Sequence, residues 1–497
     1  MRQPNVLLVT ADHWPGSLLG IAGRPVLTPT LDYLARLGTR FPRAYSESPV
    51  CIPARRSLMT GTSPRTHGDR QFLPAAPMPS LPTLAQTFRD AGYQTNAVGK
   101  LHVYPQRDRI GFDDVVLMEE GRPQLGAVDD YEMYLADQGL AGQQYAHGLS
   151  NNDYQYRPWH LAESLHPTNW ASQQMARVIK RRDPTRPAFW YLSYSSPHPP
   201  LAPLQAYLDL YRDRDIDVPL MGDWAKPAEE APYALRGIRQ QWPEMSSQEL
   251  ADTRKAFYAL CTHIDHQLRI VIGTLREEEL LDNTIILFTS DHGDMLGDHN
   301  LWAKRLFYES SARVPMILLG AAGDGRVAAG KADNRLVGLA DVMPTLLELA
   351  GVPVPEDVEG LSMVGSAERR MLYGEFGVGS DATRMITDSR HKLIYYAAGN
   401  HRQLFDLARD PNELTDLANS AEHQGILGEL TGRLLDELHG SDTSWLADGD
   451  LVGTAAPAEF PSNDRGLHGV RGIQWPPPPL DRTPERVVGA PDAAGPA

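Results

Sequence analysis

The sequence predicts an α/β fold with a mostly parallel, mixed β-sheet flanked by helices and a smaller α+β subdomain at the C-terminus. Three observations predict this fold. Short, nearly continuous apolar runs recur along the chain, as expected of strands that are buried on both faces. Helical patterns lie between these runs, and strands that alternate with helices are typical of a parallel sheet. From about residue 371 the pattern changes to closely spaced strand-like pieces followed by one helix.

The predicted strands of the main sheet carry β-branched and aromatic residues, which favour extended structure. They are NVLLVTA (5–11), QTNAVGK (94–100), PAFWYLSY (187–194), NTIILFTS (283–290) and VPMILLG (314–320). In the C-terminal subdomain the strand-like pieces are MLYGEF (371–376), HKLIYYAAG (391–399) and RQLFDLARDPNE (402–413), and an amphipathic helix follows at 422–439.

Helices are predicted where apolar residues recur at helical spacing between capping and terminating residues. One covers 28–38 and ends at Gly38, and a long one covers 246–280. Another lies within 80–92, with Ser80 as its N-cap and Gly92 as its end. A fourth begins at Cys51, has a proline in its first turn and continues to Gly61.

We predict a catalytic domain at 1–370, a C-terminal subdomain at 371–450 and a Pro-rich tail at 451–497. The catalytic domain carries polar or Pro-rich insertions at about 105–170 and 199–245, and segments of that length usually form binding surfaces. The tail has too much proline and glycine for a regular core element. We expect it to be disordered or to lie as an arm on a neighbouring subunit of a homo-oligomer.

Composition excludes several classes of function. The formal net charge of −16 disfavours nucleic acid as a partner, which requires clustered cations, and we expect no nucleic-acid binding. No apolar stretch is long enough to cross a bilayer, and the N-terminus lacks a signal-peptide layout, so we expect no membrane association and a cytoplasmic location. Two cysteines exclude a disulfide framework. No Gly-rich phosphate loop follows a strand, which gives nucleotide chemistry no support.

Polar residues that can carry chemistry follow four of the predicted strands. Because ligands bind at the carboxyl ends of strands in open α/β sheets, these residues are expected to meet at one edge. Alone, each is explained as a turn residue, a helix cap or a surface lysine. Together they offer oxygen and imidazole ligands for Ca²⁺, Mg²⁺ or Mn²⁺. They are Asp12 and His13, Lys100 and His102, His198, and Asp291 and His292.

The two cysteines and Lys304 complete the set of candidates. Lys304 lies among bulky apolar residues, and with Lys100 it can form cation clamps on a tetrahedral oxyanion. Cys51 begins a helix, where the positive end of the helix dipole lowers a thiol pKa and suits an anionic site. Cys261 lies in the middle of a predicted helix and is interpreted as a buried packing residue.

The segment CIPAR (51–55) resembles the Cys-x-Pro-x-Arg signature of type I sulfatases. Further segments are similar to that family in the same order, over roughly residues 4–420. They are PNVLLVTAD, TPTLDYLARLGTRF, LMTGTSPRTHG, TLAQTFRDAGYQTNAVGKLH, DNTIILFTSDHGDMLGDHNLWAK and LFDLARDPNELTDLA. The resemblance implies an alkaline-phosphatase-like core with a smaller C-terminal domain. It also implies that a formylglycine-generating enzyme oxidises Cys51 to formylglycine.

The resemblance further implies roles for individual residues. Asp12, Asp291 and His292 would bind the metal together with the modified residue 51. The sulfate would be surrounded by Arg55, Lys100, His102, His198 and Lys304. Many family members have a second Asp where this chain has His13, so the expected metal, Ca²⁺ first with Mn²⁺ or Mg²⁺ as alternatives, shifts towards Mn²⁺ if His13 is a ligand.

The function expected from the resemblance is hydrolysis of a sulfate monoester of a small alcohol, phenol or sugar. The alternative is a phosphonate monoester or phosphodiester hydrolase, because such substrates carry a similar charge and would use the same clamps. A third hypothesis is a catalytically silent metal-binding protein whose Cys51 remains a thiol. Aromatic residues of the insertions are candidates for stacking on an aryl group or sugar, or for packing; they are Tyr154, Tyr156, Trp159, Trp170, Trp224 and Trp242.

Overall fold

The structure of the chain is a computed structural model. It describes residues 3–120, 128–149, 151–225, 231–242 and 244–457. The oligomerisation arm predicted for the Pro-rich tail (451–497) lies mostly outside these residues, because the last described residue is 457. In the described part, no helix combines the length and apolar character that crossing a membrane requires.

An eight-stranded mixed sheet forms the centre of the fold, in the order β5-β4-β6-β1-β7-β8-β2-β9. The five strands from β5 to β7 are parallel to one another, whereas β8 is antiparallel to both of its neighbours. The predicted α/β class with a mostly parallel sheet is confirmed. Its strands are β1 (Asn5–Ala11), β2 (Thr39–Arg40), β4 (Gln94–Gly99), β5 (Asp114–Leu117), β6 (Ala188–Tyr194), β7 (Thr284–Ser290), β8 (Met316–Leu319) and β9 (Lys331–Ala332).

Burial explains why the central strands read as continuous apolar runs. Every residue of β1, β6 and β7 is buried, because helices cover both faces of the sheet. Alternate residues of β1 face opposite sides, so that Val6 and Leu8 belong to one apolar cluster and Leu7 and Val9 to the other.

Two groups of helices build those clusters. The cluster around Leu7 contains residues of α1, α6 and α9, and the cluster around Val6 contains residues of α2, α4 and α11. The helices are α1 (Pro29–Leu37), α2 (Cys51–Thr60), α3 (Pro64–His67), α4 (Leu84–Asp90), α5 (Asp130–Asp137), α6 (Pro167–Lys180), α7 (Gln205–Asp209), α8 (Tyr233–Gln241), α9 (Ser247–Glu277), α10 (Glu309–Ala312), α11 (Val342–Ala350) and α12 (Gln424–Glu437). Cys261 is buried in α9, in agreement with its interpretation as a packing residue.

The start of α4 differs from the prediction. Its N-cap is Thr83, whose side chain accepts a hydrogen bond from the backbone N–H of Gln86, and Ser80 lies outside the helix. Pro82 is the physical reason, because a residue before proline avoids the helical region and Pro itself cannot continue a hydrogen-bonded turn.

The C-terminal part consists of a four-stranded antiparallel sheet, β11 (Leu372–Phe376), β12 (Thr383–Thr387), β13 (His391–Tyr396) and β14 (His401–Asp406). Leu427, Leu430 and Leu434 of α12 pack on one face of this sheet. Short strands β3 (Ala44–Tyr45), β10 (Val337–Gly338), β15 (Leu446–Ala447) and β16 (Asp450–Leu451) form two further pairs. The predicted domain bounds remain predictions.

Besides the two-residue strands, two strands of four or more residues were not predicted from the sequence. β5, at the edge of the main sheet, lies inside the range predicted as an insertion, and it pairs in parallel with β4. It has only four residues and one of its ends is exposed, so it lacks the apolar run that marks the central strands. β12 was missed because TRMIT has a polar residue at each end.

Candidate active site

The predicted site residues of the main sheet come from strands that are neighbours in space. Strands β4, β6, β1 and β7 lie side by side and point the same way. Lys100 follows β4, His198 follows β6, Asp12 follows β1 and Asp291 follows β7. The parallel order therefore brings these side chains to one edge of the sheet, where the carboxyl ends meet.

Helix α2 directs Cys51 at this edge. It begins at Cys51, has Pro53 in its first turn, and ends where Gly61 adopts a left-handed conformation (φ 65°), as the sequence predicts. All ten residues of the helix are buried. The first turn of the helix and its positive dipole end therefore lie at the carboxyl edge of the sheet.

Three charged or ionisable groups surround the Cys51 thiol. Its Sγ lies 3.3 Å from Lys304 Nζ, 3.3 Å from His292 Nε2 and 3.7 Å from Asp12 Oδ1. Burial and the Asp12 carboxylate raise the pKa of this thiol, but Lys304, Lys100 and His292 outweigh them and lower it below its ordinary value.

Asp12 is fully buried, and neighbouring cations balance the negative charge of its carboxylate. Lys100 Nζ donates a hydrogen bond to Asp12 Oδ2, and Lys100 also contacts Glu120 at 3.1 Å. Burial raises the pKa of Asp12, but Lys100 and the neighbouring imidazoles and Arg55 hold it well below its usual range. The Asp12 carboxylate is therefore charged and available as a ligand at neutral pH.

Arg55 is held rigidly between strands. Its Nε donates to Asp291 at 3.0 Å, and its Nη1 donates to the carbonyl oxygen of Lys100 and to Ser193, both at 2.8 Å. The third nitrogen, Nη2, is buried without a hydrogen bond to the described residues and lies 3.8 Å from Asp12 Oδ2. The guanidinium therefore keeps donors directed at the centre of the site.

A carboxylate orients His13, which follows Asp12 at the end of β1. Its Nδ1 lies 2.7 Å from Asp294 Oδ2, which also accepts a hydrogen bond from the Tyr154 hydroxyl. Its Nε2 contacts Lys304 Nζ and lies 3.8 Å from Asp12 Oδ1. Burial and the nearby cation Lys304 hold the pKa of His13 well below its ordinary value, so the ring is neutral. A neutral ring that donates from Nδ1 to Asp294 presents its Nε2 lone pair to the cluster.

His292 and Asp291 complete the centre. His292 Nδ1 faces the carbonyl oxygen of Gly293 at 2.9 Å, which leaves Nε2 directed at Cys51. Burial lowers the pKa of His292, but Asp291 and Cys51 outweigh it and raise it. Asp291 accepts backbone N–H groups of His292 at 3.0 Å and of His13 at 3.4 Å.

The donor set fits a divalent metal ion. One ligand atom from each of Asp12, His13, Cys51 and His292 lies within 4.8 Å of the others. Asp291 is not in this group of four, but its Oδ1 is 3.7 Å from His292 Nε2. Carboxylate oxygens with one or two imidazoles suit Mn²⁺, Mg²⁺ or Ca²⁺.

Glu119 and Glu120 belong to the site and were not predicted. Glu120 contacts Lys100 and lies 3.5 Å from His198 Nδ1. Glu119 accepts the backbone N–H groups of Leu101 and His102 at 2.8 and 2.9 Å, which fixes the loop after β4. Both follow β5, so recognising that strand would have found them. Asp294 was also not predicted from the sequence. Its position in the loop that begins with the predicted site residue Asp291 could have identified it.

His198 lies beside His13, whereas His102 lies in the loop after β4. His198 Nδ1 lies 2.5 Å from the carbonyl oxygen of Pro199, its Nε2 is buried without a hydrogen bond to the described residues, and its ring contacts that of His13 at 4.3 Å between centroids. His102 is buried, has a left-handed backbone (φ 58°) and packs edge to face on Phe72.

Two cavities adjoin the cluster, each open to solvent and with about 440 Å³ of empty space including its open mouth. The first, the His198 cavity, is lined by Glu120, Gln144, His147, Trp159, His166 and His198, among others. The second, the Trp242 cavity, is lined by His13, Tyr154, Gln241, Trp242, Lys304 and Arg305, among others. Of the aromatic residues singled out in the sequence, Trp170 is a core residue and Trp224 stacks on Tyr308, whereas Trp159 and Trp242 line these cavities.

Comparison with known proteins identifies the family. The family model described as Sulfatase matches residues 4–352, which is most of the chain. The chain belongs to the sulfatase family. A second model, described as N-sulphoglucosamine sulphohydrolase, C-terminal, matches residues 297–439. The resemblance noted in the sequence is thus confirmed, and the protein is an enzyme of the sulfuric ester hydrolase class.

Individual relatives agree with this assignment. The chain is 36% identical to an arylsulfatase of Clostridium perfringens over 474 residues, which is 90% of this chain and 97% of the relative. It is 32% identical to a choline-sulfatase of Rhizobium meliloti, covering 84% of this chain and 83% of the relative. The phosphonate monoester hydrolase of Agrobacterium radiobacter shares the fold, with a TM-score of 0.74 and 23% identity over 91% of this chain and 99% of that structure.

Membership of the sulfatase family implies, in general, a metal ion and a formylglycine derived from cysteine. In this sulfatase the described residues include a possible metal-binding cluster, in which carboxylate and imidazole donors surround the thiol of Cys51. The family as a whole does not determine which ion binds or which ester is cleaved.

Proposed function

We propose that this sulfatase hydrolyses the sulfate monoester of a small alcohol, phenol or sugar to the alcohol and inorganic sulfate. One observation carries the proposal: the side chain at the start of α2 lies within 3.7 Å of a carboxylate, an imidazole and an ammonium group at once. Those are the groups that a nucleophile needs to be activated and to approach an anionic ester.

Residue 51 is proposed to act as formylglycine, made from Cys51 by a formylglycine-generating enzyme. Cys51 Sγ then marks the place of one hydroxyl of the hydrated aldehyde. The hydrate would supply two hydroxyls on one carbon, one to take the sulfuryl group and one whose deprotonation releases sulfate. Asp12 and His292, which contact this position, would hold the cation that favours deprotonation of the attacking hydroxyl.

Three cations are proposed to bind the sulfate oxygens. Lys304 lies beside the nucleophile position, Lys100 lies beside Asp12, and Arg55 keeps Nη2 free of hydrogen bonds to the described residues. Donors fixed in a buried site stabilise charge that develops on the oxygens without having to reorganise during the reaction. Arg55 is the most rigid of the three because Asp291, Ser193 and a backbone carbonyl hold it.

Proton transfer is assigned to the remaining bases. Either Lys304 or His198 protonates the leaving oxygen, and the position of His198 Nδ1 against the Pro199 carbonyl favours Lys304, because it places the single proton of a neutral His198 away from the site. His102 is proposed to remove the proton of the second hydroxyl, which breaks the carbon–oxygen bond and restores the aldehyde.

Asp12, His13, Asp291 and His292, together with residue 51, are proposed to hold one divalent cation, which would supply Lewis-acid stabilisation of the nucleophile. The donor set includes His13, oriented by Asp294, so we propose Mn²⁺ beside Ca²⁺ and Mg²⁺ as candidates. This choice of candidate ions rests on the carboxylate and imidazole donors of the chain alone.

A phosphonate monoester or phosphodiester hydrolase remains the second candidate. The same cations would bind a singly charged phosphoryl group, and the phosphonate monoester hydrolase named above shares the fold. The arylsulfatase and the choline-sulfatase named above are each more than 30% identical to this chain, which favours a sulfate ester.

Two measurements test the proposal. Peptide mass spectrometry of the protein from its native host should show the peptide with residue 51 as an aldehyde rather than an alkylatable thiol. Side-by-side assays of 4-nitrophenyl sulfate and bis(4-nitrophenyl) phosphate should then give the larger kcat/KM for the sulfate. If residue 51 is a fully unmodified thiol and the protein has neither activity, the hypothesis of a catalytically silent metal-binding protein is favoured. A larger kcat/KM for the phosphodiester would instead favour the phosphonate monoester or phosphodiester hydrolase.

A further inference from the structure

The Trp242 cavity leads directly to the reacting centre. His13 and Lys304 form its inner wall, and Lys304 Nζ is 3.3 Å from Cys51 Sγ. Trp242, Gln241 and Arg305 form other parts of its wall. A substrate whose sulfate lies at residue 51 therefore has room for its alcohol group in this cavity.

One cationic side chain that lines this cavity, Arg305, lacks a hydrogen-bond or ion-pair partner among the described residues. Arg305 is half-buried, and its backbone N–H donates to the carbonyl oxygen of Pro49 at 2.9 Å. Its guanidinium makes no hydrogen bond and no ion pair with the residues that the structure describes. Arg55, by contrast, has three of its donor contacts filled by Asp291, Lys100 and Ser193. Five N–H donors of Arg305 are thus left for a ligand.

No acidic side chain of the described cavity wall neutralises the Arg305 guanidinium. Among the described lining residues of the cavity, none is Asp or Glu. Arg305 interacts electrostatically with Asp381, but burial raises the pKa of Asp381 and Arg305 lowers it only partly. Lys304 is directed at Cys51 and His13. The cavity therefore has an excess of positive charge away from the sulfate position.

An aromatic wall faces the same space. The rings of Trp242 and Tyr154 meet edge to face at 5.8 Å between centroids, and Trp242 Nε1 donates to the carbonyl oxygen of Asn152 at 2.9 Å. These contacts fix the indole plane. A flat ring of a substrate can pack against it, as aromatic side chains pack with one another.

We infer that the Trp242 cavity is a subsite for a second anionic group on an aromatic substrate, with Arg305 as the residue that binds it. The inference rests on the proposed function and names its substrate class: aryl sulfates that carry a carboxylate. A carboxylate accepts two N–H donors of a guanidinium in parallel, which a neutral substituent of the same shape cannot do.

The test compares two substrates of the same shape, 4-carboxyphenyl sulfate and its neutral amide, 4-carbamoylphenyl sulfate. For the wild-type enzyme we expect kcat/KM to favour the carboxylate by about tenfold, the effect of one charge-assisted pair. In Arg305→Met this ratio should fall to about one, whereas Arg305→Lys should keep part of it. Arg65→Met removes the same charge from an exposed position and should leave the ratio as in the wild type.

The outcomes separate the inference from the proposed function. An enzyme that cleaves neither sulfate overturns both. A wild-type ratio of one or less overturns the inference alone, and this measurement needs no variant to fold. If Arg305→Met lowers kcat/KM equally for both substrates, Arg305 binds the transferred sulfate and the second-anion subsite is wrong.

Discussion

Asp294 offers the sharpest test of the proposed metal site, through the substitution Asp294→Asn. This buried carboxylate accepts hydrogen bonds from His13 Nδ1 at 2.7 Å, from the Tyr154 hydroxyl, and from the backbone N–H of Leu296 at 2.9 Å. Asparagine keeps the shape of the side chain but removes the charge and replaces one acceptor oxygen by a donor. His13 then loses the anion that fixes its tautomer and increases its basicity as a ligand.

The size of the effect follows from that contact. A buried hydrogen bond to a charged group contributes about 1.5–3 kcal/mol. Since each 1.4 kcal/mol corresponds to a factor of ten in affinity, the loss is roughly 10- to 100-fold, the range typical of residues that orient metal ligands. We expect the Kd for Mn²⁺ to rise by about this factor in Asp294→Asn.

The assay is a titration of metal-depleted protein with Mn²⁺ against a fluorescent chelator. It is done at pH 8, because burial raises the pKa of Asp294 to about 6 and the carboxyl must be ionised in the wild type. Asp265→Asn is the matched control, since burial also raises the pKa of Asp265 to about 6 but its carboxylate binds the backbone of Thr30 and Leu31. Equal Mn²⁺ affinities of wild type and Asp294→Asn would refute His13 as an oriented ligand.

Three further predictions concern residues on and off the site. Cys51→Ser should lower steady-state kcat on 4-nitrophenyl sulfate at least about 1000-fold, since a serine ester cannot release sulfate by aldehyde formation, and wild-type turnover would exclude residue 51 as the nucleophile. Asp291→Asn should lower bound metal measured by mass spectrometry, because it removes a carboxylate that lies 3.7 Å from His292 Nε2; full metal content would exclude Asp291 as a ligand. Burial and Asp341 raise the pKa of Glu47 from 4.5 to about 7. Its ionisation therefore destabilises the fold as pH rises through that range, and urea unfolding at pH 5 and pH 8 should show the wild type losing about 2.5 kcal/mol relative to Glu47→Gln. A constant difference between the two pH values would contradict this ionisation.

Sequence patterns predicted the parts of the site that long buried strands deliver. β1, β6 and β7 are buried along their whole length, so both their apolar runs and the polar residues after them could be recognised. The short edge strand β5 has no such run, and Glu119 and Glu120 were missed with it. Contacts between distant segments, such as His13 with Asp294, could not be predicted because they depend on how two strand-end loops fold over each other.

The loop that carries Lys304 and Arg305 shows the limit most clearly. Ala303 and Arg305 both adopt left-handed backbone conformations (φ 58° and 80°), although neither is glycine. Such residues cost energy and persist only where the surrounding structure determines them. Here Arg305 N–H is bound by the Pro49 carbonyl, just before the helix of Cys51, and Lys304 reaches Cys51 itself. The segment that carries Cys51 therefore also fixes the loop that presents both cations, which ties the position of Arg305 to that of Cys51.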